Sequence, residues 1–250
     1  VRRTEYGDFG APPNKVPRTV LLALVRSAPC TTWPEFAAVA QDCHAVAAGD
    51  FPISRPIIER LDQCLVIAKI GVGVDPVDLV AAREYGLRVT HVPDYGMEDV
   101  ASHAFALLLA LSRHLFEYDH IVRAGGWDKL GAGTIYRVRG RTIGILGLGR
   151  IGKTFARQIR GMECRVIAHD PYLAPEVFAE HGVEPVGLDT LLAESDYLSL
   201  HVPLTAETRH VIGERTLKLM KSTAFLINTS RGSVVDTEAL FRALASGQIA

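Results

Sequence analysis

Short apolar runs alternate with stretches of helical period along most of the chain. The run T-V-L-L-A-L-V at 19–25 predicts a first buried strand. Its basic lead-in superficially resembles a secretory leader, but the run is short and no small-x-small cleavage site follows. Thr32, with Glu35 three positions on, forms a capping box that opens a helix toward Ala40. Residues 44–48 predict a second strand. Ser54 then caps a helix with Pro56 in its first turn, where a missing N–H does no harm. Residues 65–69 predict a strand, followed by the loop G-V-G-V-D. Asp75 is expected to cap a helix over 77–85, which Gly86 ends, and 87–91 adds a further strand. A long helix is expected from 98 to 124, its apolar face running through Val100, Ala104, Leu107, Leu108 and Leu111.

After Gly125-Gly126 a second alternating series begins. Strands are expected at 142–146, 165–169, 197–202 and 224–228, with helices at 150–160, 175–180, 189–193, 214–220 and 237–245. Such alternation implies parallel sheets covered by helices on both faces, an α/β class. Two series joined by one long helix imply two doubly wound units. Residues 1–18, with Pro12, Pro13, Pro17, Gly7 and Gly10, read as a loose arm; 19–96 form the first unit and 97–250 the second. The chain starts at Val1, not Met, and stops at Ala250 directly after a helical pattern, so it reads as a piece of a longer reading frame.

Composition narrows the function classes. In 250 residues, 48% are hydrophobic and 22% charged, the globular norm, which excludes a disordered chain. Lys+Arg is 27 and Asp+Glu 28, so the net charge of -1 lacks the basic excess of a nucleic-acid binder. No apolar run approaches the ~20 residues that span a bilayer. Cys30, Cys43, Cys64 and Cys164 show no C-x-x-C and no zinc spacing, so they read as reduced, mostly buried thiols, with no metal site.

The strongest local chemistry is G-L-G-R-I-G at 147–152, after the strand R-T-I-G-I-L and before a helical run. Gly147 allows the tight turn, Gly149 lets backbone approach a pyrophosphate, and Gly152 lets helix and strand pack closely. The helix N-terminus offers unpaired N–H groups to phosphates. Asp170 ends the next strand, about 20 residues on, where a carboxylate accepts from the adenosine ribose hydroxyls and repels a 2′-phosphate, favouring NAD over NADP. The alternative is a strand–helix turn that binds nothing. N-T-S-R-G at 228–232 follows the strand A-F-L-I and so lies at the carboxyl end of a parallel strand, where ligands bind. Arg231 there can fork onto the carboxylate and neighbouring carbonyl of a small acid, or be a plain surface arginine. His201, Val202 and Pro203 exit the preceding strand at the same edge, as an adenine-lining wall or a simple strand exit.

G-V-G-V-D at 71–75, V-P-D-Y-G-M-E-D-V-A at 92–101, G-L-G-R-I-G, H-D-P-Y at 169–172, H-V-P-L-T at 201–205 and N-T-S-R-G-S-V-V-D at 228–236 occur in that order. Over about 19–250, this set resembles the D-isomer-specific 2-hydroxyacid dehydrogenase family. The resemblance implies a flavodoxin-like substrate domain, then a Rossmann NAD-binding domain, with substrate in the cleft between them. It implies that the backbone amides of Val72, Gly73 and Val74 hold the substrate carboxylate and that Arg231 binds it and polarises the ketone. Arg150, Ile151, Asp170, Pro203, Thr208, Thr229 and Ser230 match positions lining NAD. Tyr95 matches a substrate-contacting position in some members, or packs at the hinge.

The family's acid/base histidine, the glutamate that tunes it and an aspartate facing the nicotinamide match no position here. Nine histidines are present, none at the family's position, and His103 on the long helix reads as a packing residue. General acid–base help is worth ~10²–10⁴-fold, so little turnover is expected from the chain as written. The expected function is hydride transfer between nicotinamide and C2 of a small D-2-hydroxy or 2-keto acid by a cytoplasmic homodimer with no nucleic-acid or membrane partner. A non-catalytic, NAD-responsive scaffold of the corepressor type is the alternative. An NAD-retaining hydrolase or isomerase fits the complete N-T-S-R-G setting less well.

Overall fold

The computed structural model describes Arg26 and residues 30–250. The strand expected at 19–25 and the arm at 1–18 lie outside these residues. The chain divides into two compact units, one ending at Val92 and the other running from Pro93 to Ala250.

In the first unit, α1 (Trp33–Ala40), β1 (Ala45–Ala48), α2 (Arg55–Ile58), β2 (Val66–Lys69), α3 (Leu79–Glu84) and β3 (Arg88–Thr90) alternate as the pattern requires. The Thr32/Glu35 capping box forms. The strands make a parallel sheet in the order β1-β2-β3. Its core gathers Ile53, Ile57, Ile58, Ile67, Val77 and Ala81. The cap of α3 is Asp78, whose carboxylate accepts from Ala81 N at 2.8 Å, and not Asp75. The helix starts later than expected because Val77 is drawn into a bridge with Ile53. Of the four thiols only Cys64 is buried; Cys30, Cys43 and Cys164 are half-buried, and all four are reduced.

The second unit holds α4 (Met97–Ser112), α5 (Leu115–Arg123), β4 (Thr142–Leu146), α6 (Arg150–Ile159), β5 (Arg165–His169), α7 (Pro175–Glu180), β6 (Glu184–Pro185), α8 (Leu188–Glu194), β7 (Tyr197–Leu200), α9 (Glu214–Leu217), β8 (Phe225–Asn228) and α10 (Thr237–Ala245). All five strands are parallel, in the order β6-β5-β4-β7-β8. The order reverses between β4 and β7, and this switch point opens a crevice at the carboxyl ends of the strands. β7 is buried at every position, as expected of a strand covered on both faces. One layer packs Ala101, Ala104, Leu108, Phe155 and Ile159 on the sheet; the other packs Leu191, Leu192, Leu217, Ala239 and Ala243.

The single long helix expected over 98–124 is two. His114 adopts a left-handed φ of 51° between α4 and α5, and its ring meets Phe225 edge-on at 6.3 Å. A histidine in that region is uncommon, and tertiary packing has overridden local preference. The break also marks a change of environment: α4 is buried along Ala101, Ala104 and Leu108, whereas α5 buries no residue. Both helices belong to the second unit.

At the amino ends of the strands sits a charged node that the pattern did not reveal. Asp196, 7% exposed, accepts from Thr142 N at 2.8 Å, Lys221 Nζ at 3.0 Å and Arg141 Nη1 at 3.2 Å. Burial alone would raise its pKa, but these three donors together outweigh it and hold the carboxyl below its ordinary value.

Candidate cofactor and substrate site

The glycine loop follows β4 directly. Gly147 has φ of 90°, and a side chain there would also strike Val202 Cγ1 at 2.8 Å. A Cβ on Gly152 would stand 2.2 Å from the Gly147 carbonyl oxygen, so only glycine lets α6 start so close under the loop. Gly149, the N-cap residue of α6, has open space where a Cβ would be. The loop therefore turns tightly below and leaves room above, with Arg150 exposed and Ile151 half-buried at the start of the helix.

Asp170 tops the adjacent strand β5. One carboxylate oxygen accepts from Leu148 N at 3.0 Å and the other from Tyr172 N at 3.1 Å. It thus ties the glycine loop to the β5 exit while standing half-exposed at the crevice. The Tyr172 hydroxyl donates to Glu207 on the loop after β7.

Beyond β7, the His201 backbone N–H donates to Leu146 O at 2.8 Å, and the ring is committed to the core. Its Nε2 lies 2.9 Å from Ser199 Oγ and the imidazole packs on Phe155 at 5.1 Å. Burial lowers its pKa to about 4, so the ring is neutral at physiological pH. Of the three residues at this exit, Val202 and Pro203 remain to form a wall. Thr208 Oγ1 donates to Pro203 O at 2.6 Å and accepts from Thr205 N at 2.8 Å, folding the loop back on itself.

Beyond β8, Asn228 organises the N-T-S-R-G loop. Its Oδ1 accepts from Ser230 N at 3.0 Å and Ser230 Oγ at 2.8 Å, while its Nδ2 donates to Arg231 O at 2.9 Å. Arg231, half-buried, sends Nη1 to Ser230 O at 3.0 Å. Thr229 Oγ1 is buried with no hydrogen-bond partner. A cavity of about 370 Å³ opens beside it, lined by Asp99, Val100, His103 and Leu107 of α4 with Asn228 and Thr229. The second unit thus gathers Gly147, Gly149, Arg150, Ile151, Gly152, Asp170, Val202, Pro203, Thr208, Thr229, Ser230 and Arg231 at the carboxyl ends of its strands. Tyr95, 67% exposed, precedes α4.

In the first unit the carboxyl end of β2 leads into Gly71, whose φ is 143°. Val72 O meets His91 Nδ1 at 2.8 Å, and Val77 N donates to Val74 O at 2.9 Å, so the 72–74 backbone is pinned at both ends. Behind it lies Lys69, which the sequence pattern hid inside a strand. Its side chain is 4% exposed, and Nζ donates to Asp50 Oδ1 at 3.1 Å and Ile70 O at 3.0 Å.

The NAD-binding domain of the D-isomer specific 2-hydroxyacid dehydrogenases matches residues 105–250. The chain belongs to that family. Glyoxylate reductase of Thermococcus litoralis is 45% identical over 204 residues, 79% of this chain and 62% of that protein. D-lactate dehydrogenase from Aquifex aeolicus, solved with NAD and lactic acid, superimposes with a TM-score of 0.81 at 33% identity, over 85% of this chain and 64% of that one. An acyclic imino acid reductase solved with NADPH and D-Arg superimposes with a TM-score of 0.80 at 28% identity, over 87% and 70% of the two chains. The chain thus spans a little under two thirds of the length of the glyoxylate reductase.

The site fits the family's dinucleotide on its own geometry. The space above Gly149 admits a pyrophosphate, the first turn of α6 supplies N–H donors, and the orphaned Thr229 hydroxyl awaits a polar ligand group.

Proposed function

We propose that this family member is an NAD-dependent oxidoreductase that interconverts small D-2-hydroxy acids and 2-keto acids, of the glyoxylate and lactate size class. One observation carries the reading: Arg231 stands on the Asn228-braced loop at the carboxyl end of β8, on the same crevice edge as the glycine loop. NAD, when bound, supplies or takes the hydride. The chain's residues do the positioning. The α6 N-terminus and the Gly147–Gly152 loop hold the pyrophosphate. Asp170 accepts from the adenosine ribose, and Val202 and Pro203 flank the adenine. Thr229 and Ser230 hold the nicotinamide end. The Arg231 guanidinium presents parallel N–H donors to a carboxylate and the adjoining ketone oxygen, and that contact strengthens as charge grows on oxygen.

The first unit is the flavodoxin-like substrate domain, in which the Val72, Gly73 and Val74 amides take a carboxylate, with the Lys69 cation close behind the loop; Tyr95 contacts substrate. We read the protein as a cytoplasmic homodimer with no nucleic-acid or membrane partner. Supporting this, α5 shows Leu115, Phe116 and Val122 to solvent, followed by Trp127 at 93% and Leu130 at 75% exposure. Among the described residues no helix is long and apolar enough to cross a membrane.

The test is NADH oxidation by the full reading frame with glyoxylate, hydroxypyruvate and pyruvate as substrates. Turnover with at least one of them, abolished by Arg231→Ala with NADH affinity retained, is expected. NADH binding without turnover on any 2-keto acid would refute the activity.

A further inference from the structure

Lys69 is the last residue of β2 and shares the buried face of that strand with Ile67. A lysine so placed is rare, because burial strips water from a full charge, and it normally has a buried partner to match. Here the match is lopsided. Nζ donates to Asp50 Oδ1 at 3.1 Å, but the Asp50 side chain is 98% exposed against 4% for Lys69. Water screens the anion far more than the cation, so the pair leaves a net positive field inside the first unit at the carboxyl end of β2. Nζ also donates to Ile70 O at 3.0 Å. An ammonium carries a third N–H, and no acceptor for it is present among the described residues. The cation lies against the loop that follows. A Cβ on Gly71 would meet Lys69 Nζ at 3.1 Å, and the φ of 143° there is one that residues with a Cβ rarely adopt. The missing side chain lets the ammonium reach the inner side of the loop. Val92 N donates to Gly71 O at 3.1 Å and His91 Nδ1 meets Val72 O at 2.8 Å, so the loop is held over the charge.

We propose that Lys69 is a positioning residue that makes the first unit select anions over neutral molecules of the same shape. It acts in two ways: it fixes the start of the loop through Ile70 O, and it lends the Val72, Gly73 and Val74 amides a full positive charge from behind. Amide N–H groups alone discriminate weakly, since they bond a neutral carbonyl oxygen as well as a carboxylate, whereas a bond to an ionised acceptor beside a fixed cation is much the stronger. Asp50 opposes this field from the solvent side and weakens it slightly. The inference rests on the 2-keto acid reading above, and adds to it a residue beneath the loop and the charge that the substrate must carry.

The test compares an acid with its uncharged twin. Glyoxylate and pyruvate are each paired with the neutral amide, glyoxylamide or pyruvamide, as substrate or competitive inhibitor of NADH oxidation by the full reading frame. The proteins are the unsubstituted enzyme, Lys69→Met and Asp50→Asn. Lys69→Met keeps the length of the side chain and removes the charge. It is expected to raise the KM or inhibition constant of each acid about tenfold, the scale of one partly screened charge–charge attraction, with kcat nearly unchanged and the amides unaffected. Asp50→Asn keeps an oxygen that accepts from Nζ but removes the opposing charge, and should tighten the acids by about two- to threefold. A purely bracing role for Lys69 predicts otherwise: Lys69→Met would weaken acid and amide equally, and Asp50→Asn would change neither. Either of those results, or no loss for the acids in Lys69→Met, overturns the assignment. Asp50 is exposed, so its variant carries the test even where Lys69→Met does not fold, and acids bound no tighter by it then refute the proposal. Failure of the unsubstituted enzyme to oxidise NADH with any 2-keto acid would instead overturn the activity reading and, with it, this inference.

Discussion

Asp170 is the residue whose replacement separates cofactor choice from loop stability. Its carboxylate accepts from Leu148 N at 3.0 Å and Tyr172 N at 3.1 Å while facing the crevice. A 2′-phosphate on the adenosine ribose would bring a second anion to about 4 Å; at an effective dielectric between water and a protein surface that repulsion is roughly 1–4 kcal/mol. The unsubstituted chain should therefore prefer NADH to NADPH by roughly 5- to 1,000-fold. Asp170→Asn removes the charge and keeps an oxygen that can accept from Leu148 N. It should narrow the preference to within a few-fold and leave thermal stability near normal. Asp170→Ala removes both acceptors and leaves the buried Leu148 amide without its partner, a loss of about 1–3 kcal/mol. For a unit of this size that lowers Tm by roughly 2–4 °C per kcal/mol. Fluorescence titration with both cofactors and a thermal scan on the three proteins check this. NADPH binding as tight as NADH in the unsubstituted chain, or a ratio unchanged in Asp170→Asn, refutes the electrostatic argument. Equal Tm for Asn and Ala variants refutes the role in bracing the loop.

Other outcomes follow from the same geometry. His201, with its pKa depressed to about 4 by burial, binds no proton in the folded state where the unfolded chain binds one. The parent's stability is thus constant with respect to this group above about pH 6.5 and falls as pH drops toward 4, by roughly 3 kcal/mol in all; over that window the parent's urea midpoint should fall relative to that of His201→Phe. Asp196→Ala leaves Lys221 and Arg141 facing a half-buried gap, and urea unfolding should show a loss of about 2–4 kcal/mol. Because the donors around Asp196 hold its pKa down, the parent's own stability should fall as pH drops through the carboxylate range, and more steeply than that of Asp196→Asn. Gly152→Ala would set its Cβ 2.2 Å from Gly147 O and must push α6 away; it should lower Tm and weaken NADH and ADP-ribose alike, in titrations of both ligands. Arg231→Lys in the full reading frame should cut kcat/KM by on the order of 100-fold, as measured by steady-state kinetics, because an ammonium cannot fork onto two oxygens.

The legible parts of this molecule were those where local pattern and tertiary demand agree. The strands at Thr142–Leu146 and Arg165–His169 are apolar runs bounded by turns, and α7 and α10 carry a proline at the start or an aspartate cap with glycine beyond. The glycine loop was legible because each glycine meets a separate steric demand. Three features were hidden because long-range contacts decide them. The break at His114 involves no glycine or proline, only a ring placed on Phe225. The cap of α3 fell to Asp78 because Val77 pairs with Ile53, a contact 24 residues away in sequence. β6, two residues long, exists as a partner of β5 and has no pattern of its own. The same holds for the site: motif residues were visible, but His103 and Lys69 sit inside a helix and a strand that look like ordinary core-forming segments.

The two ends of the second sheet carry opposite duties. At the amino ends, Asp196 N donates to Thr142 O at 2.9 Å and Phe225 N to Asp196 O at 3.0 Å, knitting β4, β7 and β8 around the charged node. At the carboxyl ends, the loops are held mainly by side-chain bonds of Asp170, Thr208 and Asn228. Such an arrangement makes the mouth exchangeable and the root fixed. Whole loops after β5, β7 and β8 can be traded with those of a distant relative while the root keeps the strands in register. Deuterium uptake would display the division directly: rapid labelling at the crevice, and amides at the root of β4 and β7 that exchange only when the whole unit opens.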